Sequence, residues 1–380
     1  MGLQQVQNGN TSMNLKTILV IGATGAQGMA VVDKLLAPCE DGRPSPYAVR
    51  AFTRDTGSKR AKELAQRGVQ CVEGSFDNLP SVECALRDVY GMWVNTDGFT
   101  VGEEKETWAG IRIFELARKA KCVKHYVWSN LDYAYRAGNY DEQYRCQHYD
   151  GKARVADWMR SQPSGTTPDD MAWSIVTSGP YMDMLFNLMF GPLKTRADGT
   201  AVFATPIGCG HVPMIALADL AFFARHTFDH RESTSGRELQ VASDVVGWDA
   251  LAATFTRVTG RRAEVVHQTV DEWFANFEGV DDPLANERGS DGANGVELGD
   301  MAATTTTTTW AENFRGWWAL WRDDVITRDM GWVRRVHPRA LTLEAWMRAN
   351  AYDGGLRRAL LKNSEDGKTI RPKWDVIEKL

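Results

Sequence analysis

The chain has no excess of basic residues: 44 Lys and Arg stand against 49 Asp and Glu, for a formal charge of -5. Gripping a phosphate backbone takes clustered Lys and Arg, so nucleic acid is not an expected partner. No run of about eighteen apolar residues occurs, which excludes a helical membrane span. The opening MGLQQVQNGNTSMN lacks a basic start followed by an apolar stretch, so neither a leader nor a membrane is expected, and the predicted compartment is the cytoplasm. Six cysteines, Cys39, Cys71, Cys84, Cys122, Cys146 and Cys209, are scattered without a C-x-x-C pair. They read as reduced, mostly buried thiols rather than as a disulfide framework. A G-x-S-x-G elbow is missing, which leaves acyl transfer without support. His226 and His230 stand four apart with no third ligand patterned near them, and they read as surface histidines; no metal is expected.

What is present is an alternation. TILVIGA, YAVRAFTR, VQCVEG, YGMWVNTDG, KHYVWSNL and MAWSIVTSG read as six strands, separated by segments of helical period. The intervening helices are MAVVDKLLA, KRAKELAQRG, LPSVECALRD opened by Pro80, and KETWAGIRIFELARKAK with Trp108, Ile111 and Phe114 on one side. The last runs from Glu142 to about Ser161. Parallel strands joined by right-handed helical crossovers make a doubly wound α/β sheet. At 380 residues the chain has room for a second lobe. The rhythm changes after Pro180, yet LQVASD (239–244) still reads as a late sheet strand. The predicted division is a flexible tail at 1–14, a dinucleotide-binding Rossmann domain at 15–180 with a return near 211–245, and a smaller interleaved α/β carboxy-terminal substrate lobe from 181–210 and 246–380. Residues 278–309, with Gly, Asp and Asn followed by six consecutive threonines, read as a mobile surface insertion.

The chemistry begins at ILVIGATGAQG. Gly22 permits a tight turn, Gly25 lets the backbone approach a pyrophosphate, and Gly28 lets the following helix lie close to the strand. A helix amino end then offers unpaired N–H groups and a positive partial charge to the phosphates. The motif follows a strand and opens a helix within a βαβ unit, which is the context dinucleotide binding requires. At the end of the second strand an NAD site favours an acidic residue and an NADP site an arginine. Here AFTRDTGSKR places Thr53 and Arg54 there, with Lys59 one turn on, so NADP(H) is the predicted cofactor; Asp55 as a ribose ligand is the alternative.

Four stretches together, the glycine motif, TRDTGSKRAKEL, HYDGK (148–152) and HPRALTLEAWMRAN, resemble the NmrA-like family of atypical short-chain dehydrogenase/reductases across roughly residues 16–350. The family includes NADP-sensing regulators and is related to isoflavone-reductase-type enzymes. The resemblance implies a ligand cleft between the two lobes, with Thr24 and Gln27 at the pyrophosphate, Arg54 at the 2′-phosphate and Asp77 near the adenine. It further implies Thr96 and Phe99 at the ribose and nicotinamide, and Tyr181 and Met182 on the substrate side.

In the wider superfamily a Tyr-x-x-x-Lys pair shares one helix face, the lysine lowering the tyrosine pKa and holding the ribose. In this chain His148 fills the tyrosine slot and Lys152 is retained. Tyr149 is one residue too late for that face; Tyr144, a turn earlier, is placed to share it. His148 is the candidate proton donor, and Ser129 matches the superfamily's catalytic Ser/Thr slot. Trp310, Phe314, Trp317, Trp318 and Trp321 recur at helical spacing. They read as the aromatic core of the second lobe or, with Met182, Met184 and Met189, as the lining of a cleft for a large planar ligand. Two functions follow. One is an NADP(H)-dependent reductase of a bulky hydrophobic ketone, iminium or conjugated alkene, as in natural-product biosynthesis and with cyclisation a possible sequel. The other is a non-catalytic NADP(H) sensor that binds a protein partner.

Overall fold

A computed structural model describes residues 15–285, 308–357 and 370–380. Seven parallel strands form the central sheet: β1 (Lys16–Ile21), β2 (Tyr47–Thr53), β3 (Gln70–Glu73), β4 (Gly91–Val94), β5 (His125–Leu131), β6 (Ala172–Ser178) and, returning late in the chain, β10 (Arg237–Gln240). Their order is β10-β6-β5-β4-β1-β2-β3, with Ile18 opposite Val49 on one side and Gly91 on the other. Ile18 to Ile21 and the whole of β4 and β6 are buried, which is why their sequences are continuous apolar runs rather than alternating ones.

Helices cover both faces. α1 (Ala26–Leu36) lies with α8 (Leu217–Asp229) on one side; α2 (Lys59–Gln66) packs along β2 and β3; α3 (Leu79–Ala85), α5 (Glu103–Ala120) and α7 (Gln147–Arg160) cover the other. α3 is capped by Asn78, with Pro80 in its first turn. α5 carries Glu103, Glu104 and Glu106 in its first turn and Arg118 and Lys119 in its last, charges that suit the helix dipole. Its buried face is Ala109, Gly110, Ile113, Phe114 and Ala117, whereas Trp108 is half exposed. Gly110 sets that phase, because a Cβ there would stand 2.7 Å from Val155 and 2.9 Å from Trp128. The helix expected from Glu142 is broken. A 3-10 turn (Glu142–Tyr144) precedes an extended Arg145–Cys146, and α7 starts only at Gln147. Two contacts cause the break: the Asp150 carboxylate accepts the Cys146 N–H at 3.1 Å, and Gly316 passes so close that a Cβ would lie 2.0 Å from the Arg145 carbonyl.

The second lobe has its own small sheet, β7 (Lys194–Thr195), β8 (Ala201–Thr205) and β12 (Ala263–His267), and a pair, β9 (Val212–Met214) with β11 (Asp244–Val246). Around them lie α10 (Trp248–Thr259), α11 (Val270–Ala275), α12 (Trp310–Arg322), α13 (Met330–Val336) and α14 (Leu343–Ala349). α12 begins in a capping box, Thr309 with Glu312, and its Trp317, Trp318 and Trp321 are buried with Trp248, Trp273 and Trp346 in one cluster. Those tryptophans are core. Met182 at 0% exposure belongs to the same cluster. Arg328 ties the lobe to the sheet through a two-point ion pair with Asp132, at 2.9 and 2.7 Å.

Of the predicted insertion, 286–307 lie outside the described residues. Its two ends are joined by the Pro283–Thr309 bridge. Among the six thiols only Cys146 is buried; Cys39, Cys71 and Cys122 are half-buried and Cys84 and Cys209 exposed, fewer in the interior than composition suggested. Each of the five lies on a loop, a strand edge or the outer face of a helix. No described helix is long and apolar enough to cross a membrane.

Candidate functional site

The strand order reverses at β1, with β4 on one side and β2 on the other, and an α/β sheet opens a crevice at such a point. A cleft of about 260 Å³ lies there. At one end it is lined by Gly22, Thr24, Gly25 and Arg54, at the other by Thr96, Phe99, His148, Lys152 and Tyr181.

The glycine end is built from backbone. Gly22 has φ +79° and its missing Cβ would sit 2.6 Å from the Asn95 carbonyl; a Cβ on Gly28 would lie 2.1 Å from the Gly22 carbonyl. Gly25 caps α1 without any side-chain hydrogen bond, so the first N–H groups of the helix are available to an anion. Arg54 is exposed at the cleft's edge. Lys59 is exposed and does not line the cleft; its neighbour Arg60 donates its guanidinium to the Thr24 carbonyl at 2.9 Å. Asp55 turns its carboxylate to the Gly57 N–H at 2.7 Å. Asp77 accepts from the Ser75 hydroxyl, and it is Ser75, not Asp77, that lines the cleft.

The other end is assembled from distant segments. Lys152 is buried, and its ammonium donates to the Thr96 carbonyl at 2.6 Å, the Thr96 hydroxyl at 3.1 Å and Glu106 at 2.8 Å. Thr96 in turn donates to the same Glu106 oxygen at 2.7 Å. All three ammonium hydrogens therefore have acceptors, while Glu106 Oε2 is buried without a partner. A buried lysine of this kind is tolerable only because a carboxylate neutralises it.

His148, one turn before Lys152 on α7, also lines the cleft. Asn313 from α12 donates to its Nδ1 at 2.8 Å and the Cys146 sulfur is 3.3 Å from the same nitrogen. Nδ1 is therefore engaged inside the protein. Burial, with the Lys152 charge adding to it, pushes the imidazole down to about 3, against the raising effect of Asn313. His148 is thus a neutral N–H donor rather than an imidazolium acid. Its ring lies 4.7 Å from Phe99 and 5.2 Å from Phe314, which stacks on Trp310 at 4.1 Å. Tyr144 does not share the face: its hydroxyl goes to Asp323 at 3.0 Å.

Ser129 is not brought into the cleft. It is buried and donates to Gln27 Oε1 at 2.8 Å, and Gln27 Nε2 donates to the Tyr181 hydroxyl at 3.1 Å. Gln27 and Met182 likewise stand behind the wall that Tyr181 forms. Glu106, Asn313 and Arg60 were missed by the sequence reading. Glu106 looks like an ordinary first-turn acid, Asn313 hides in an aromatic run, and only the phase of α2 separates Arg60 from Lys59. His226 and His230 stack at 4.2 Å, and no metal-holding cluster occurs among the described residues.

Sheet order and cleft together define a Rossmann-type α/β protein. The chain belongs to the NmrA-like family, whose model matches residues 14–289. It is similar to the NmrA-like family domain-containing oxidoreductase himF of Aspergillus japonicus, 26% identical over 262 residues that cover 66% of this chain and 76% of the relative. A second relative, notA of Aspergillus sp. (strain MF297-2), is 26% identical over 279 residues, 70% of this chain and 78% of that protein. Its fold matches NmrA, a negative transcriptional regulator, solved in complex with NADP (TM-score 0.63, 16% identity, 90% of this chain and 99% of that one). It also matches the NADPH-dependent quinone oxidoreductase QOR2 of Escherichia coli, solved with NADPH (TM-score 0.62, 16% identity, 88% and 99%).

Proposed function

We propose that this chain is an NADP(H)-dependent oxidoreductase acting on a bulky hydrophobic small molecule, a ketone, iminium or conjugated alkene of the kind natural-product pathways handle. The observation that carries the reading is the continuity of one cleft from an uncapped helix N-terminus beside Arg54 to Lys152, His148 and Tyr181. The residues present fit the cofactor: a glycine cradle that any Cβ would fill, free N–H groups for the pyrophosphate, and a guanidinium instead of a carboxylate where a 2′-phosphate has to be accepted. Gly22, Thr24 and Gly25 would hold the phosphates, Arg54 the 2′-phosphate, and Thr96 and Phe99 the ribose and nicotinamide end, with Lys152 setting Thr96 through its carbonyl and hydroxyl. The cofactor supplies the hydride; the chain supplies binding, orientation and electrostatics.

His148 then orients and hydrogen-bonds through Nε2, since a neutral imidazole with Nδ1 engaged by Asn313 has no spare proton at neutral pH. Phe99 and Leu131 exclude water beside it. An acceptor that is already cationic or conjugated suits this chemistry, because less charge develops on oxygen than in a simple ketone. The relatives named as oxidoreductases support the reading.

A second reading, a regulator that binds NADP(H) without turnover, is favoured by the engagement of all three Lys152 hydrogens within the protein and by the likeness to NmrA. Titration calorimetry followed by NADPH oxidation in the presence of quinones and hydrophobic heteroaromatics separates the two. The enzyme reading expects NADPH binding and absorbance loss with at least one acceptor class; binding with no turnover across the panel favours the regulator, and no heat with either redox form overturns both.

A further inference from the structure

We infer that Tyr181 is the residue that hydrogen-bonds the reacting oxygen of a carbonyl substrate in the cleft, held as a donor by Ser129 and Gln27 behind it. The inference rests on the reading above that a nicotinamide cofactor occupies the cleft. It follows from the direction of two consecutive hydrogen bonds, Ser129 to Gln27 and Gln27 to Tyr181. Gln27 Oε1 has no hydrogen, so at 2.8 Å it is Ser129 that donates to it. With the carbonyl end of the amide toward Ser129, the NH₂ end faces Tyr181 and donates to the phenol oxygen at 3.1 Å. An oxygen that accepts from an amide has to send its own hydrogen elsewhere. Tyr181 lines the cleft, and no acceptor for that hydrogen occurs among the described residues.

The backbone holds the ring in place. Met182 N–H donates to the Ile215 carbonyl at 2.9 Å and Ile215 N–H to the Pro180 carbonyl at 2.8 Å, and Gly179 runs so close to β9 that a Cβ would lie 2.0 Å from the Pro213 carbonyl. Burial raises the phenol to about 12 despite the hydrogen bond from Gln27, so the O–H persists across the working range of pH. Tyr181 thus offers a phenol to the cleft from the segment that follows β6. No proton leaves Tyr181 in this scheme. Hydride reaches carbon with its two electrons, charge grows on the carbonyl oxygen that Tyr181 bonds, and a solvent proton completes the hydroxyl. Ser129 and Gln27 are positioning residues.

The test uses the full chain and menadione, a naphthoquinone, as probe. NADPH titration calorimetry comes first: absence of binding sinks the cofactor reading, and only binding opens the way to judge Tyr181. In the NADP⁺-loaded protein the infrared carbonyl stretch of bound menadione is expected at lower frequency than in an aprotic solvent. Tyr181→Phe should abolish that shift and lower kcat for NADPH oxidation by about 100-fold, the scale of one lost oxyanion donor, with KM for NADPH unchanged. Gln27→Glu, whose carboxylate turns the phenol hydrogen inward, should do the same without removing the ring. Ser129→Ala should lose part of the shift and Ser129→Thr should restore it. An unchanged stretch and kcat in Tyr181→Phe, or NADP⁺-loaded protein that binds no menadione, overturns the inference while leaving NADPH binding intact.

Discussion

The two ends of the cleft are built in opposite ways. The glycine end rests on one continuous segment, Ile18 to Gly28, whose backbone three glycines leave open, with Arg54 beside it. The opposite end draws Thr96 from the loop after β4, Glu106 from α5, His148 and Lys152 from α7, Tyr181 from the segment after β6 and Asn313 from α12. A backbone site depends on the absence of atoms; a side-chain site depends on partners being present. Damage to the first is therefore steric and general, and damage to the second is electrostatic and selective.

Gly28→Val should be the most severe change. A Cβ 2.1 Å from the Gly22 carbonyl cannot be accommodated without separating α1 from β1, so a stability loss of at least about 3 kcal/mol, at the top of the overpacking range, is expected in urea unfolding. Glu106→Ala follows. It leaves the Lys152 charge buried beside a void, and unpairing a buried ion costs about 3–5 kcal/mol. Glu106→Gln should recover part of that, and full stability in the alanine variant would show the pair to be dispensable.

Arg54→Ala should leave the fold alone, since the side chain is exposed. It should weaken NADPH by about 1.5–3 kcal/mol, the worth of a charge-assisted hydrogen bond, and leave NADH affinity as it was; calorimetry with both cofactors reads the difference. Equal losses for the two would mean that Arg54 does not meet the 2′-phosphate.

The smallest effect is a pH dependence at the other end. The folded value of His148 lies below its ordinary 6.5, at about 3, so the unfolded chain takes up the extra proton first. The contribution of His148 is complete above pH 6.5 and is lost as the pH falls toward about 3. The stability advantage of the wild type over His148→Gln should shrink by about 1.4 kcal/mol on going from neutrality to near pH 5.5. Asp150 and Asp183, both pushed up to about 6 by burial, carry the opposite slope but are common to both proteins and cancel in the comparison. A constant gap between the two unfolding curves would mean that His148 is not held neutral by its surroundings.

Legibility in the sequence follows the same division. The six early strands, the glycine turn and the arginine at the end of β2 are local patterns, and they recur in the structure at the expected places. Ser129 and Lys59 carry the expected residue types yet point elsewhere, because orientation depends on helix phase and on what packs behind. The break before α7 is not visible in residues 142–146 alone; it takes the Asp150 carboxylate on the Cys146 N–H and the close passage of Gly316, far along the chain.

By itself the sequence determined the sheet, its crossover helices and the glycine turn, because each is set by hydrophobic period, chirality and glycine sterics acting over a few residues. Only the tertiary structure decided that Lys152 is neutralised by Glu106, that His148 is buried with Nδ1 engaged by Asn313, and that the tryptophans of α12 form core rather than cleft. Those outcomes depend on hydrogen-bond partners and burial contributed by segments up to 165 residues apart, and no local pattern encodes them.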